Sequence, residues 1–119
     1  MDFNENKTIY LQIADLICEN ILTGKWREES RIPSVREIAV DLEVNPNTAV
    51  RAYNFLQEKD IIYNKRGIGY FVSHDGFDKT LQLQKDEFIK NELAAIFKKM
   101  DLLKISMNQI QELYNKNLL

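Results

Sequence analysis

The sequence predicts a mainly α-helical fold with one small β-hairpin, and three observations carry that prediction. Apolar residues recur at helical spacing along most of the chain, with only 4 Gly and 2 Pro among 119 residues to interrupt them. Runs of β-branched and aromatic residues gather in residues 61–73 on either side of a glycine-containing tip. The chain is 45% apolar and 29% charged, which suffices for one modest core plus an appendage and falls short of the framework of a large enzyme.

Ile9, Ile13, Leu16, Ile17 and Ile21 form one helical stripe, and Gly24 supplies a stop, so a first helix is expected over residues 9–23. A polar loop carrying Trp26 follows, over residues 25–33. Ser34-Val35-Arg36-Glu37 is a capping box, in which the Ser hydroxyl and the Glu carboxylate each satisfy a backbone N–H of the first turn. It opens a second helix of about two turns, with its apolar side at Val35, Ile38, Ala39 and Leu42. After Glu43 and Val44, Asn45 caps a third helix. Pro46 takes its first position, where a missing N–H costs nothing. This helix is expected to run to about residue 59 and to bury Ala49, Ala52, Tyr53 and Leu56, leaving Asn47, Thr48, Arg51 and Asn54 outward.

Residues 61–64 and 70–73 then read as two strands joined by the tip Lys65-Arg66-Gly67-Ile68-Gly69, and Asp75-Gly76 as a turn and domain boundary. Ile89, Leu93, Ile96, Phe97, Met100 and Leu103 describe a long amphipathic helix over residues 79–103. Ser106 and Gln109 cap a last helix with its stripe at Met107, Ile110, Tyr114 and Leu118. Two such helices cannot close a core alone, so their apolar faces need either the preceding domain or a second copy of the chain.

Charge is informative locally rather than in sum. With 16 Lys+Arg against 18 Asp+Glu the net charge is −2, which by itself argues against a nucleic-acid partner. Yet residues 44–57 carry Arg51 as their single charge, and residues 61–73 carry Lys65 and Arg66 and no acid. One face of an acidic protein is therefore expected to be positive.

Several chemistries find no support. There is no Ser/His/Asp or Cys/His set for catalysis, and Gly67-Ile68-Gly69 lacks the third Gly and the lysine of a phosphate loop. Cys18 adjoins the first apolar stripe as a packing thiol, His74 has no partner at metal-ligand spacing, and Met100 and Met107 read as packing residues. No cofactor and no metal site is implied. The N-terminus is polar and mixed in charge, unlike a signal peptide, and no apolar run reaches the ~18 to 20 residues of a membrane span, so a cytoplasmic location without membrane attachment is expected.

Two helices joined by a three-residue turn, the second with a short hydrogen-bonding outer face and a basic hairpin after it, suit the reading of a DNA groove. A helix fits the major groove, and Asn and Arg bond adenine and guanine edges in bidentate fashion. Hairpin cations track the neighbouring phosphates or enter the minor groove. The alternative is a winged-helix module that docks a protein. Such a face calls for large apolar anchors, and Asn47, Thr48 and Arg51 provide none, with Phe55 the one apolar candidate.

The residues also follow a family pattern: Ile9-Tyr10-x-Gln12-Ile13, Arg31-Ile32-Pro33-Ser34-Val35-Arg36-Glu37-Ile38-Ala39, Val44-Asn45-Pro46-Asn47-Thr48, Arg51-Ala52-Tyr53 and Gly67-Ile68-Gly69-Tyr70-Phe71-Val72. In these motifs the chain resembles the GntR family of bacterial transcriptional regulators, and in its short two-helix tail the YtrA-type subfamily. The resemblance implies a winged helix-turn-helix domain over residues 6–74 and a helical dimerisation segment over residues 75–119. It implies a repressor that binds a two-fold double-stranded operator as a homodimer and has no large effector domain. No small-molecule effector is implied, although a pocket at a dimer interface stays open.

Carried over position by position, the DNA-contacting roles fall on Ser34 and Arg36, on Asn45, Asn47, Thr48 and Arg51, and on Arg66 and Gly67, with Lys65 beside them. Dimerisation falls on Ile89, Leu93, Ile96, Phe97, Met100, Leu103, Ile110 and Tyr114. Pro46 and Val50 stand where many relatives carry Arg. Glu43 replaces a turn glycine and Glu28-Glu29 a Pro-Gly pair, so altered backbone paths are expected in both loops.

Overall fold

The structure, a computed structural model, describes residues 7–116. Asn6, the expected start of the first domain, and Leu118, the last residue of the expected tail stripe, lie outside them. The order of elements is α1 (Ile9–Leu22), α2 (Val35–Leu42), α3 (Pro46–Glu58), β1 (Ile62–Lys65), β2 (Gly69–Val72), α4 (Gly76–Glu87), a π-helical segment (Phe88–Leu93), α5 (Ala94–Leu103) and α6 (Met107–Asn115). Two compact units divide within α4, between Leu83 and Gln84.

In the first unit α1 buries Ile13, Ala14, Ile17, Cys18 and Ile21, while Ile9 at the helix start is 46% exposed. Gly24 ends the helix at φ +82, a left-handed conformation that costs glycine little. The capping box of α2 forms in full. The Ser34 hydroxyl accepts from the Glu37 N–H at 3.1 Å, and the Glu37 carboxylate accepts from the Ser34 N–H at 3.1 Å. At α3 the Asn45 side chain accepts from the Asn47 N–H at 2.8 Å, and Ala49, Ala52, Tyr53 and Leu56 form the buried face as expected. Ile38 and Ala39 of α2 join the same core, so α1, α2 and α3 share one apolar interior.

The hairpin pairs Ile62 with Val72, Tyr63 with Phe71, Asn64 with Tyr70 and Lys65 with Gly69, with Ile62 and Val72 facing the core. A third, short stretch pairs with it that the sequence does not announce. Glu29 N–H bonds Val72 O at 2.8 Å, Val72 N–H bonds Ser30 O at 3.0 Å and Ile32 N–H bonds Tyr70 O at 2.9 Å, and Arg31 bridges Phe71. The polar loop after α1 thus covers the outer edge of β2 and satisfies backbone groups that would otherwise form an open sheet edge.

Glutamates occupy left-handed backbone, a conformation that favours glycine, in both loops, Glu43 at φ 55 and Glu29 at φ 65. After Glu43 the Val44 N–H reaches back to Ala39 O at 3.0 Å, the closing bond of a Schellman end. Asp60 and Lys104 close α3 and α5 in the same way, through Ile61 N–H to Leu56 O and Ile105 N–H to Met100 O.

Two expectations are corrected beyond the hairpin. Asp75-Gly76 forms a turn, but a helix begins at Gly76 rather than near residue 79. Gly76 is buried where a Cβ would lie 2.6 Å from Val72 Cγ1 and 3.0 Å from Ile61 O. This close approach holds the start of α4 against the hairpin. The long helix expected over residues 79–103 is also not continuous, since the π-helical segment Phe88–Leu93 interrupts it. A π turn bonds i to i+5 and is wider than an α turn, and apolar spacing alone does not distinguish the two. In the second unit α6 carries a complete capping box, Ser106 with Gln109.

Candidate nucleic-acid interface

The exposed groups singled out by sequence sit on three neighbouring parts of the first unit: the start of α2, the outer face of α3 and the hairpin tip. Ser34 is half-buried, and its hydroxyl oxygen is engaged by the Glu37 N–H. The Ser34 backbone N–H, donating to the Glu37 carboxylate, and the Ser34 side chain beside it hold that carboxyl below its usual value, with nearby Arg31 adding to the effect. Arg36, one position inside the helix from Val35, is exposed and makes no ion pair among the described residues. The pairing with Glu37 or Asp41 that would make it an ordinary surface charge does not form.

On α3, Asn47 and Asn54 are exposed and Thr48 is half-buried. Asn45 spends its oxygen on the cap, leaving its amide N–H groups outward. Val50 is 39% exposed and Pro46 occupies the first turn, so neither position presents a cation on this face. Arg51 is exposed but not unsupported. Its guanidinium lies 4.2 Å from the centroid of the Tyr10 ring, and Tyr10 meets Phe55 edge-on at 6.3 Å. A cation over a ring face is attracted by the ring quadrupole. Tyr10, Arg51, Asn54, Phe55 and Glu58 line a shallow cavity of about 230 Å³. Sequence spacing shows that no acid reaches Arg51 along its own helix, but it cannot show an aromatic ring delivered by α1.

Tyr53 fixes the orientation of α3. Its ring is fully buried, its hydroxyl donates to Pro33 O at 2.6 Å, and the ring packs edge-on against Tyr70 at 4.8 Å. One side chain thereby ties α3 to the segment entering α2 and to β2. Burial, with smaller contributions from Tyr70 and Glu37, raises the Tyr53 hydroxyl pKa well above the ordinary value.

At the hairpin tip Lys65 and Arg66 are exposed, and Gly67 takes φ +80 while Ile68 N–H closes onto Lys65 O at 2.8 Å. The outer face of the hairpin is an aromatic platform. Tyr63 stacks on Phe71 at 5.8 Å, Lys65 Nζ lies 4.8 Å over Phe71, and the Tyr63 hydroxyl donates to Glu29 at 2.9 Å. That bond raises the Tyr63 pKa.

The sequence profile of bacterial regulatory proteins of the gntR family matches residues 9–72. The chain belongs to the GntR family. The transcriptional repressor YtrA of Bacillus subtilis is 34% identical over 81% of this chain and 73% of its own length. Among solved structures, a GntR-family regulator from Bacteroides thetaiotaomicron is 46% identical, covers 93% of this chain and 96% of its own, and superposes with a TM-score of 0.75. Another from Listeria monocytogenes is 37% identical, covers 96% and 98%, and reaches 0.79. The first unit is therefore a winged helix-turn-helix of GntR type, with α3 as the second helix of the motif and the β1–β2 hairpin as the wing. GntR proteins are DNA-binding transcriptional regulators, and family and neighbours alike are regulators rather than enzymes. No helix among the described residues is long and apolar enough to cross a membrane.

The expected dimerisation residues lie in the second unit. Ile89 is 59% exposed, Ile96 46%, Phe97 45%, Leu103 56% and Tyr114 78%, a largely open apolar side for a single chain. Leu93 and Ile110 are half-buried. Met100 differs, since at 8% exposed it is already covered within one chain. Leu102, 79% exposed, is an apolar residue of this segment that the stripe reading leaves out.

Proposed function

We propose that this protein is a cytoplasmic, non-enzymatic repressor that binds a two-fold operator as a homodimer, with residues 6–74 contacting DNA and residues 75–119 pairing the two chains. The observation that carries this reading is the outer face of α3. Asn47, Asn54 and Arg51 stand exposed there, and among the described residues no carboxylate pairs with Arg51; apart from Val50, the surface is made of groups that hydrogen-bond base edges rather than of large apolar anchors for a protein. Arg51 and Asn47 read bases, and Thr48 meets a phosphate or a thymine methyl. Ser34, Arg36 and Asn45 meet the backbone beside α2 and α3, and Lys65, Arg66 and Gly67 follow it along the wing. The open apolar side of Ile89, Leu93, Ile96, Phe97, Leu103, Ile110 and Tyr114 pairs with a second copy, which duplicates the reading head and raises affinity through effective concentration. No cofactor, metal or small-molecule effector is assigned.

Fluorescence anisotropy tests the reading, with the full chain on the DNA upstream of its own gene and on scrambled DNA at ~150 mM salt. A preference of ~10³ or more for the upstream fragment is expected, and Arg51→Ala should cost about 1 to 3 kcal/mol and relax selection at one base position. Equal, weak binding of both fragments at every salt concentration, by a chain that sediments as a monomer, refutes it.

A further inference from the structure

Arg31 opens the motif Arg31–Ala39 but has no role among the proposed contacts. Its backbone bridges Phe71, which places its side chain on the same outer face of the sheet as Phe71, Tyr63 and Lys65, because residues paired across strands share a face. Ile32, the next residue, points the other way and is 2% exposed in the core.

From that position the Arg31 side chain runs along β2 towards the wing tip and covers Gly69. A Cβ on Gly69 would lie 2.9 Å from Arg31 Nε and 3.3 Å from one of its terminal nitrogens, and Gly69 itself is at φ +142. The absent side chain of Gly69 is the space the guanidinium occupies. Gly69 pairs with Lys65, so Arg31, Lys65 and Arg66 form one cationic run from the outer face to the tip. The acid of this face, Glu29, is held at the other end by the Tyr63 hydroxyl. Arg31 is exposed and has no ion pair among the described residues, although it is near enough to Glu37 to act on that carboxyl across space. It therefore stands between the start of α2 and the wing.

We propose that Arg31 is a phosphate-contacting residue of the wing, its guanidinium held over Gly69 so that it meets the DNA backbone between the strand segments touched by Arg36 and by Lys65 and Arg66. The inference rests on the DNA reading above. A cation aimed at phosphates adds affinity without sequence preference, and each phosphate neutralised contributes close to one unit to the slope of log K against log salt. A planar guanidinium also presents a rigid fork to phosphate oxygens.

The test is anisotropy of the full-length protein on the upstream and scrambled fragments across a series of salt concentrations. Arg31→Ala and Arg31→Gln should each weaken both fragments by about five- to tenfold at ~150 mM salt, lower the salt slope by about 1 and leave the ratio between fragments unchanged. Arg31→Lys should restore the slope. Gln keeps the length needed to cover Gly69, so a loss in Ala that Gln repairs would assign Arg31 to packing and overturn the proposal. A wild-type slope in Arg31→Gln overturns it too, while tight wild-type binding leaves the wider DNA reading intact. Failure of the wild-type chain to bind either fragment overturns both together.

Discussion

Removing the Tyr53 hydroxyl should expose how strongly one bond orients α3. In Tyr53→Phe the buried ring and its edge-on contact with Tyr70 at 4.8 Å are retained, and the 2.6 Å bond to Pro33 O is lost. A typical hydrogen bond contributes about 1 kcal/mol net, and leaving the part-buried Pro33 carbonyl without its donor adds about 1 kcal/mol, the low end of the cost for a buried group. The expected destabilisation is therefore about 2 kcal/mol, which at a urea dependence of about 2 kcal/mol per M moves the unfolding midpoint down by about 1 M. Wild type and variant are compared at one protomer concentration, since association stabilises the folded chain by mass action. A midpoint shift below about 0.2 M would refute the claim that this bond clasps α3 to the segment before α2.

The same hydroxyl gives a pH signature of known sign. Its folded pKa is raised by burial, so its contribution is fully present below the unfolded value near 10 and is lost as pH rises through the higher folded value. Above pH ~10 the unfolded chain releases this proton while the folded chain keeps it. Wild-type stability should then fall more steeply than that of Tyr53→Phe, by about 1.4 kcal/mol per pH unit. Tyr63 titrates in both proteins and cancels in the difference.

Other outcomes follow from the backbone and the tail. Gly76→Ala should lower stability by about 1 to 2 kcal/mol in urea unfolding, because the overpacking against Val72 Cγ1 and Ile61 O outweighs the gain in helix propensity. Glu43→Gly should do the opposite and raise stability in urea unfolding by about 0.5 to 1 kcal/mol, as relief of left-handed strain at φ 55 exceeds the added entropy of the unfolded glycine. Placing charge on the open tail with the pair Ile96→Glu and Phe97→Glu should give a monomer by sedimentation and weaken operator binding by ~10-fold or more, with the first unit still folded by circular dichroism. A dimer that persists in this variant would remove those residues from the pairing surface.

Much of the fold is legible because its signals are local. Ser34 with Glu37, Asn45 with Pro46, and Ser106 with Gln109 act within one helical turn, and the buried set of α3 is a simple period. The ends of α2, α3 and α5 are harder to see, since Glu43, Asp60 and Lys104 close them where a glycine would have announced the stop. Gly76, by contrast, reads as a turn and boundary, yet it serves a close approach to Val72 and begins a helix.

By itself, then, the sequence determined the helical class, the order of helices, the hairpin, the outer face of α3 and an apolar tail without a core of its own. Caps and periodicities depend on neighbours within about four positions, and those are present in the string of residues. Only the tertiary structure decided that Arg51 rests on Tyr10, that Tyr53 holds Pro33, that residues 29–32 pair with β2 and that Arg31 covers Gly69. These contacts join segments about 20 to 40 residues apart. They arise when separate elements bury their apolar faces together, and no local pattern encodes which side chains then meet.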